Sequence, residues 1–203
     1  MQVQRIPAGI YQANCYLVMD DTTREAVLID PAGDAPFLLK KIREQEADVK
    51  AILLTHGHGD HIGAAQELKD TLSVPILAHK DEVELLKDPN LNLSKSMFHG
   101  PYSIRPDQVF SEETLPYLSG IQVIHTPGHT EGSVCFIIEQ AMLSGDTLFL
   151  GSIGRTDLAT SDPTKMQTSL ERLKTLDPTL SVYPGHGVQT TMEQELQRNP
   201  FLR

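Results

Sequence analysis

One short segment of the chain is rich in side chains that bind metal ions. The run Thr55-His56-Gly57-His58-Gly59-Asp60-His61 contains three histidines and one aspartate. Imidazole nitrogen and carboxylate oxygen are the ligands that borderline cations such as zinc prefer. The two glycines are expected to let the backbone turn tightly, so that successive side chains point at one place. A solvated polar turn would not need this combination, and we interpret the segment as a metal site.

The segment lies between a predicted strand and a predicted helix. Residues 51–54 form a short apolar run that is typical of a buried strand, and residues 62–68 begin a helix. Open α/β sheets usually place their chemistry where a strand ends and a helix begins. The position of the histidines therefore favours a functional site over a surface turn.

Three later segments repeat this arrangement of an apolar strand, a glycine-containing turn and a metal-binding side chain. The predicted strands cover residues 121–124, 141–143 and 181–183. The side chains that follow them are His129, Asp146 and His186. Four strand ends that all present histidine or aspartate predict one convergent site at one edge of a sheet.

The remaining elements must form the frame that holds these strand ends. Strands are predicted at 3–6, 15–19, 26–29, 74–78 and 134–138, and helices at 36–46, 81–87, 163–176 and 192–197. Asp162 is the expected N-cap of the third of these helices, with Pro163 at its first position. Residues 88–108 show no periodicity and are interpreted as a surface loop that flanks the active-site cleft. Asp30 is either a turn residue or a partner that orients a metal-bound histidine.

Composition excludes several classes of function. The 203 residues carry 17 Lys and Arg against 27 Asp and Glu, a net charge of -10 that disfavours binding to nucleic acid or to an anionic membrane. No apolar run reaches the roughly 20 residues that a membrane helix needs, and no secretory signal is evident. Cys15 and Cys135 lie in apolar segments and are expected to be reduced and buried, which favours a cytoplasmic protein.

Taken together, the motifs H-x-H-x-D-H, P-G-H-T, S-G-D and P-G-H-G resemble those of the metallo-β-lactamase superfamily across nearly the whole chain. Within it, the sequence is most similar to small bacterial glyoxalase II-like thioester hydrolases. Further similarities lie at residues 14–18, 29–31, 154–157 and 199–202. The resemblance implies an α/β (α+β) fold, a four-layer αββα sandwich. Residues 1–203 would form a single domain that lacks the C-terminal helical substrate-binding region of full-length glyoxalase II.

The resemblance also implies two divalent metal ions per chain, most simply zinc, with iron and manganese as alternatives. The first ion would take His56, His58 and His129, the second would take Asp60, His61 and His186, and Asp146 would bridge both. Two such ions lower the pKa of a shared water towards about 7, so that a bridging hydroxide would attack the thioester carbonyl. Asp60 would then serve as a ligand that also orients the hydroxide. His125 is expected to be structural or to orient a ligand.

The substrate implied by the resemblance is a small thioester, S-D-lactoylglutathione or a related hydroxyacyl thioester. Arg155 occupies the segment where the family places a lysine that contacts the glutathione carboxylate. The planar guanidinium of Arg155 suits a carboxylate, and this residue is a candidate substrate-binding residue. An internal ion pair between Arg155 and Asp157 is the alternative interpretation.

Rival interpretations of the same motifs differ in chemistry. A mononuclear iron persulfide dioxygenase would use only His56, His129 and Asp146 as ligands. A lactonase would use the same binuclear site on an oxygen ester. A non-enzymatic metal-binding scaffold would usually close the site with a fourth cysteine or histidine, which a shared aspartate does not do. RNA-processing members of the superfamily carry additional RNA-gripping domains, for which this length leaves no room.

Overall fold

The computed structural model describes residues 1–97 and 99–203; Phe98, inside the predicted 88–108 loop, lies outside the described residues. The described chain contains two six-stranded sheets, a two-stranded sheet and six α-helices. The helices are α1 (Ala35–Glu44), α2 (Gly59–Ile62), α3 (Ala65–Leu72), α4 (Val83–Lys87), α5 (Pro163–Leu173) and α6 (Met192–Arg198).

The first sheet comes from the N-terminal half of the chain. Its strands, in spatial as well as sequence order, are β1 (Gln2–Ala8), β2 (Ala13–Met19), β3 (Glu25–Ile29), β4 (Asp48–Leu53), β5 (Ile76–His79) and β6 (Gln108–Phe110). The pairs β1–β2 and β2–β3 are antiparallel, and the pairs from β3 to β6 are parallel.

The second sheet comes from the C-terminal half and has the order β14-β13-β10-β9-β8-β7. Its strands are β7 (Thr114–Leu115), β8 (Ile121–His125), β9 (Val134–Ile138), β10 (Ala141–Gly145), β13 (Ser181–Pro184) and β14 (Thr190–Thr191). Strands β11 (Leu148–Phe149) and β12 (Ser152–Ile153) form the small sheet beside it.

Three hydrophobic cores separate four layers. Helices α1 and α3 pack on the outer face of the first sheet through Leu38, Ile42 and Leu68. The inner faces of the two sheets meet through residues such as Tyr16, Leu53 and Phe136. Helix α5 covers the outer face of the second sheet through Met166, Leu170 and Leu173. The predicted αββα sandwich is therefore confirmed.

Alternation along the strands explains why central strands are apolar throughout. In β2, Cys15 and Leu17 face the helical layer, whereas Tyr16 and Val18 face the other sheet. Successive side chains of a strand point to opposite faces, so a strand buried on both sides needs apolar residues at every position. All seven residues of β2 are buried.

The predicted start of the long C-terminal helix is confirmed. The side chain of Asp162 accepts hydrogen bonds from the backbone N–H groups of Thr164 and Lys165, and Pro163 is the first helical residue. Both cysteines are free and buried, as predicted. None of the described helices is long and apolar enough to cross a membrane.

Candidate metal centre

The direction of the strands brings the predicted side chains to one edge. Strand β10 is parallel to β13, while β9 is antiparallel to both β8 and β10. Strands β8, β10 and β13 therefore run the same way and end at the same edge of the second sheet. His129, Asp146 and His186 follow these ends, as predicted from the sequence.

The histidine-rich loop joins this edge from the first sheet. It follows β4, and its Thr55 carbonyl accepts a hydrogen bond from the N–H of Val134 in the second sheet. Asn14 in β2 likewise donates its backbone N–H to the carbonyl of Gly185, 2.7 Å away. The first bond ties the loop to the second sheet, and the second bond ties β2 to the turn that carries His186.

Gly57 and Gly59 are needed for space rather than for a tight turn, which corrects the reason given from the sequence. Neither has a positive φ. A Cβ on Gly57 would lie 2.7 Å from a side-chain carbon of Leu85, and one on Gly59 would lie 3.0 Å from Cα of Ser94. The loop thus lies directly against the segment from α4 to residue 94. A Cβ at Gly59 would press on the backbone of Ser94, and one at Gly57 would displace the side chain of Leu85.

Three histidines form what we call the first ligand group. His56, His58 and His129 are buried, and one ring nitrogen of each lies within 4.8 Å of those of the others. Nδ1 of His58 is 2.9 Å from Nε2 of His129. Ring nitrogens at such distances can share one cation.

A carboxylate and two histidines form the second ligand group. Asp60, His61 and His186 also lie within 4.8 Å of one another. Nε2 of His186 is 3.2 Å from Oδ2 of Asp60 and 3.3 Å from Nε2 of His61. Helix α2 begins within this loop and carries both Asp60 and His61.

Asp146 lies between the two ligand groups. Its Oδ1 is 3.4 Å from Nε2 of His61 in the second group, and its Oδ2 is 3.6 Å from Nε2 of His129 in the first. Oδ2 also lies 3.7 Å from Nε2 of His186. One carboxylate therefore reaches both groups, an arrangement suited to a bridging ligand.

Hydrogen bonds behind the histidines fix which nitrogen faces the centre. Nδ1 of His129 donates to the carbonyl of Arg155 at 2.9 Å, and Nδ1 of His61 donates to Oδ2 of Asp30 at 3.0 Å. The hydroxyl of Thr55 donates to Asp30 and accepts from Nδ1 of His56. Each of these rings therefore directs its Nε2 inward, as metal-bound histidines commonly do.

The resulting donor set fits divalent cations. Among the described residues, Nε2 of His56 and Oδ1 of Asp146 are buried atoms without a hydrogen-bond partner. Buried polar atoms are normally paired, so an ion that accepts their lone pairs would account for both. Burial lowers the pKa of His58 to about 3 and the pKa of His56 well below its ordinary value, which keeps these rings neutral.

The second group has a stronger negative field. Burial disfavours the charged imidazolium of His61, but the carboxylates of Asp146, Asp60 and Asp30 raise its pKa to about 10. Burial also opposes ionisation of Asp60, yet the neighbouring histidines His61 and His186 hold its pKa below the ordinary value. Such an excess of carboxylates favours a cation at this position.

Glu82 supports the first ligand group, and the sequence interpretation missed it. Its buried carboxylate accepts hydrogen bonds from the N–H of Gly57 at 3.0 Å and of Gly132 at 3.2 Å, and from the hydroxyl of Thr130. Glu82 therefore ties the histidine-rich loop to the turn that carries His129. Burial raises the pKa of Glu82 to about 7, an effect that these three donors offset in part.

A cavity of about 600 Å³ opens on both ligand groups, and we call it the metal-site cavity. His58, Asp60, His129, Asp146 and His186 lie at its base. Its walls are largely apolar and are formed by Tyr11, Leu93, Met97, Phe149, Ile153 and Leu158. Leu93, Ser96 and Met97 belong to the predicted 88–108 loop, which thus flanks the cleft.

Arg155 lines the metal-site cavity and also pairs with Asp157. Its Nε is 2.7 Å from Oδ1 and one terminal nitrogen is 2.9 Å from Oδ2 of Asp157. Both side chains are more than half exposed. The ion pair expected as one alternative is present, and the guanidinium remains at the rim of the cavity where a substrate carboxylate could reach it.

The other histidines with described contacts lie outside the two ligand groups. The ring of His79 stacks on that of His125 with centroids 4.1 Å apart, and Nε2 of His125 donates to the carbonyl of Glu131. His79 and His125 form a separate cluster with Asp81. Because the two stacked rings are nearly parallel, their nitrogen lone pairs do not converge on one point. This arrangement is unfavourable for a shared metal ion.

Comparison with known proteins defines the family. The family model of the metallo-beta-lactamase superfamily matches residues 8–186, so the chain belongs to this superfamily. It is 37% identical over 210 residues to the hydroxyacylglutathione hydrolase GloC of Haemophilus influenzae, covering 100% of this chain and 98% of that protein.

Two solved structures have closely similar folds. The BLEG-1 B3 metallo-beta-lactamase is 39% identical, with a TM-score of 0.93 and 99% coverage of both chains. TTHA1623, solved in a di-iron-bound form, is 36% identical with a TM-score of 0.90, covering 98% of this chain and 100% of that one. The chain is thus a member of a superfamily whose solved relatives include one in a di-iron-bound form.

Proposed function

We propose that this protein is a binuclear metal-dependent hydrolase of thioesters, with S-D-lactoylglutathione or a related hydroxyacyl thioester as substrate. The observation that carries the proposal is the pair of ligand groups joined by Asp146. All seven of its members lie at one edge, next to a cavity of about 600 Å³. One relative, 37% identical, is named a hydroxyacylglutathione hydrolase. Because hydroxyacylglutathiones are thioesters, this name supports the proposed substrate class.

The proposed metal set follows the two ligand groups. His56, His58 and His129 would hold one divalent ion, Asp60, His61 and His186 would hold the other, and Asp146 would contact both. When bound, such ions polarise a carbonyl and supply hydroxide at neutral pH. Zinc suits these nitrogen and oxygen donors, and iron and manganese accept the same set.

The residues of this chain would divide the remaining work. Asp60 belongs to the second ligand group and lines the metal-site cavity, so its carboxylate would orient a nucleophilic water. Arg155 at the rim would bind a substrate carboxylate, and the apolar wall around Phe149 and Leu158 would exclude bulk water. A thiolate is a stable leaving group, so the reaction needs no separate acid.

We further propose a cytoplasmic protein whose partner is a small molecule. Two free, buried cysteines are consistent with a reducing compartment. The net charge of -10 is consistent with a substrate that is not a nucleic acid. Ligand residues come from both halves of the chain, which agrees with the single domain expected for residues 1–203.

The decisive experiment is hydrolysis of S-D-lactoylglutathione by zinc-loaded protein, followed by the loss of thioester absorbance. We expect turnover that a chelator abolishes and that zinc restores. The variant Asp70→Asn, which changes the exposed face of α3, serves as a control and should keep the activity of the parent protein. Absence of turnover with two metals bound would contradict the proposal.

The same protein preparations distinguish the proposed hydrolase from the alternative functions. Persulfide-dependent oxygen uptake with one iron per chain would instead indicate a dioxygenase. Hydrolysis of lactones alone would indicate a lactonase. Bound metal with no turnover on any of these substrates would indicate a scaffold.

A further inference from the structure

A second cavity adjoins the metal centre from the side of α1. It has a volume of about 780 Å³ and reaches Asp60 in the second ligand group. Its walls come from the turn between β1 and β2, the segment from Ala32 to Phe37, helix α3 and the residues around Tyr102. Because the first residues of α1 line this cavity, we call it the α1-side cavity.

The α1-side cavity and the metal-site cavity share a partition. Tyr11, Asp60 and Met97 line both of them. Tyr11 is 52% exposed at the tip of the β1–β2 turn, so its ring stands between two open spaces instead of packing in a core. A ligand whose reacting atom lies at Asp60 can therefore extend in two directions.

The two cavities differ in charge. Arg155 lines the metal-site cavity, which suits a carboxylate. The described lining of the α1-side cavity contains the carboxylates of Asp34 and Glu67 in addition to Asp60. Its basic residues are limited to His99, with neither lysine nor arginine. Lys41 lies 5.8 Å from the ring of Phe37 but pairs with Glu44 outside the cavity.

The apolar part of the lining is also specific. Phe37, Tyr11 and Tyr102 contribute rings, and Ile10 is 56% exposed beside them. Exposed rings next to carboxylates attract cations as well as apolar groups. The cavity thus has the properties of a site for an apolar group that carries no negative charge.

We infer that the α1-side cavity binds the substrate arm opposite to the one that Arg155 faces. This arm is apolar and is either neutral or carries an ammonium group. The inference rests on the proposed thioester hydrolysis, because a thioester has two arms that leave its carbonyl in different directions. The α1-side cavity then selects against substrates that are anionic on both arms.

The first test compares two thioesters that share glutathione, whose carboxylate faces Arg155, and that differ in the acyl arm. One carries a 4-(trimethylammonio)butanoyl group, which ends in a quaternary ammonium, and the other carries a 4-carboxybutanoyl group, which ends in a carboxylate. Glu67→Lys should lower kcat/KM for the trimethylammonio ester about tenfold, since the sign of one nearby charge is reversed. It should not lower kcat/KM for the carboxybutanoyl ester.

Asp70→Lys is the matched control because it makes the same charge change three residues further along α3, outside the described lining of either cavity. It should change either value less than twofold, and added salt should diminish the effect of Glu67→Lys. Equal effects of the two substitutions, or none from Glu67→Lys, would overturn the inference while leaving thioester hydrolysis in place.

The second test does not depend on turnover. The sequence contains no tryptophan, so Phe37→Trp places a single reporter in the α1-side cavity. Titration with 2-(methylthio)ethyl-trimethylammonium should give a saturable change in emission, and Phe201→Trp, which lines neither cavity, should give none. Adding Glu67→Lys to Phe37→Trp should weaken this binding about tenfold. An unchanged or non-saturable signal would overturn the inference even if the protein hydrolyses no thioester.

Discussion

Asp30 lies 3.0 Å from Nδ1 of His61, although the two residues are 31 positions apart. Its carboxylate also accepts hydrogen bonds from the backbone N–H and the hydroxyl of Thr55. Asp30 is 1% exposed, so these are the interactions of a buried charge. The end of β3 therefore sets the orientation of a side chain in the second ligand group, which settles the choice between turn residue and orienting partner.

The first prediction concerns this contact. Asp30→Asn keeps the size of the side chain but removes the negative charge behind His61. Partners of this kind affect metal affinity by about 10- to 100-fold. We therefore expect the second ligand group to bind zinc that much more weakly, measured by competition with a chromophoric chelator. Asp70→Asn is the exposed control, and equal zinc affinities of the two variants would contradict the role of Asp30.

Local patterns in the sequence were sufficient to predict most of the fold. Strands such as β2 and β9 are buried on both faces, so their apolar runs stand out. Asp162 and Pro163 define the start of α5 through interactions confined to one turn of helix. By contrast, β7, β11 and β14 are only two residues long, and such pairs have no periodicity to detect.

The grouping of the candidate ligand side chains at one edge was also predictable, because each follows an apolar strand next to glycine. What the sequence could not provide is the set of contacts that orient them. Glu82 lies 25 residues from Gly57 and 48 from Thr130, and it sits in a short helical segment without a motif. The space requirement at Gly57 likewise depends on Leu85, which only the folded chain brings near.

The second prediction concerns the pH dependence of stability. The pKa of Glu82 is about 7 in the folded protein, above its ordinary value of 4.5, so between these values the folded state binds more protons than the unfolded state. The free energy of unfolding should therefore fall as pH rises through this window, by about 3 kcal/mol from this group. The contribution is fully present below about pH 4.5 and lost above about pH 7.

Glu82→Gln tests this assignment, since glutamine has a similar shape and does not titrate. Urea unfolding of the parent and the variant, compared across the same pH window, should show the parent losing stability relative to the variant as pH rises. Taking the difference removes the contributions of the other titrating groups, which both proteins share. A difference that is independent of pH would contradict the raised pKa of Glu82.

The third prediction separates the two ligand groups. His58→Ala should lose the ion of the first group and retain that of the second, and His186→Ala should do the reverse. Asp146→Ala should weaken binding of both ions, because its carboxylate lies close to histidines of both groups. Metal content after dialysis, measured by elemental analysis, checks all three, with circular dichroism as the control for folding. Loss of one ion only in Asp146→Ala would show that this carboxylate does not bridge.

The fourth prediction resolves the role of Arg155, whose ion pair with Asp157 is exposed on both sides. Exposed pairs contribute little to stability, so neither Arg155→Ala nor Asp157→Ala should lower Tm appreciably. If Arg155 binds a substrate carboxylate, Arg155→Ala should raise KM for S-D-lactoylglutathione about tenfold with little change in kcat.

Two further variants serve as controls. Asp157→Ala frees the guanidinium and should leave KM equal or lower. Arg155→Lys should restore KM only in part, because an ammonium cannot form the bidentate contact. An unchanged KM in Arg155→Ala together with a lowered Tm in both alanine variants would instead assign the pair a structural role.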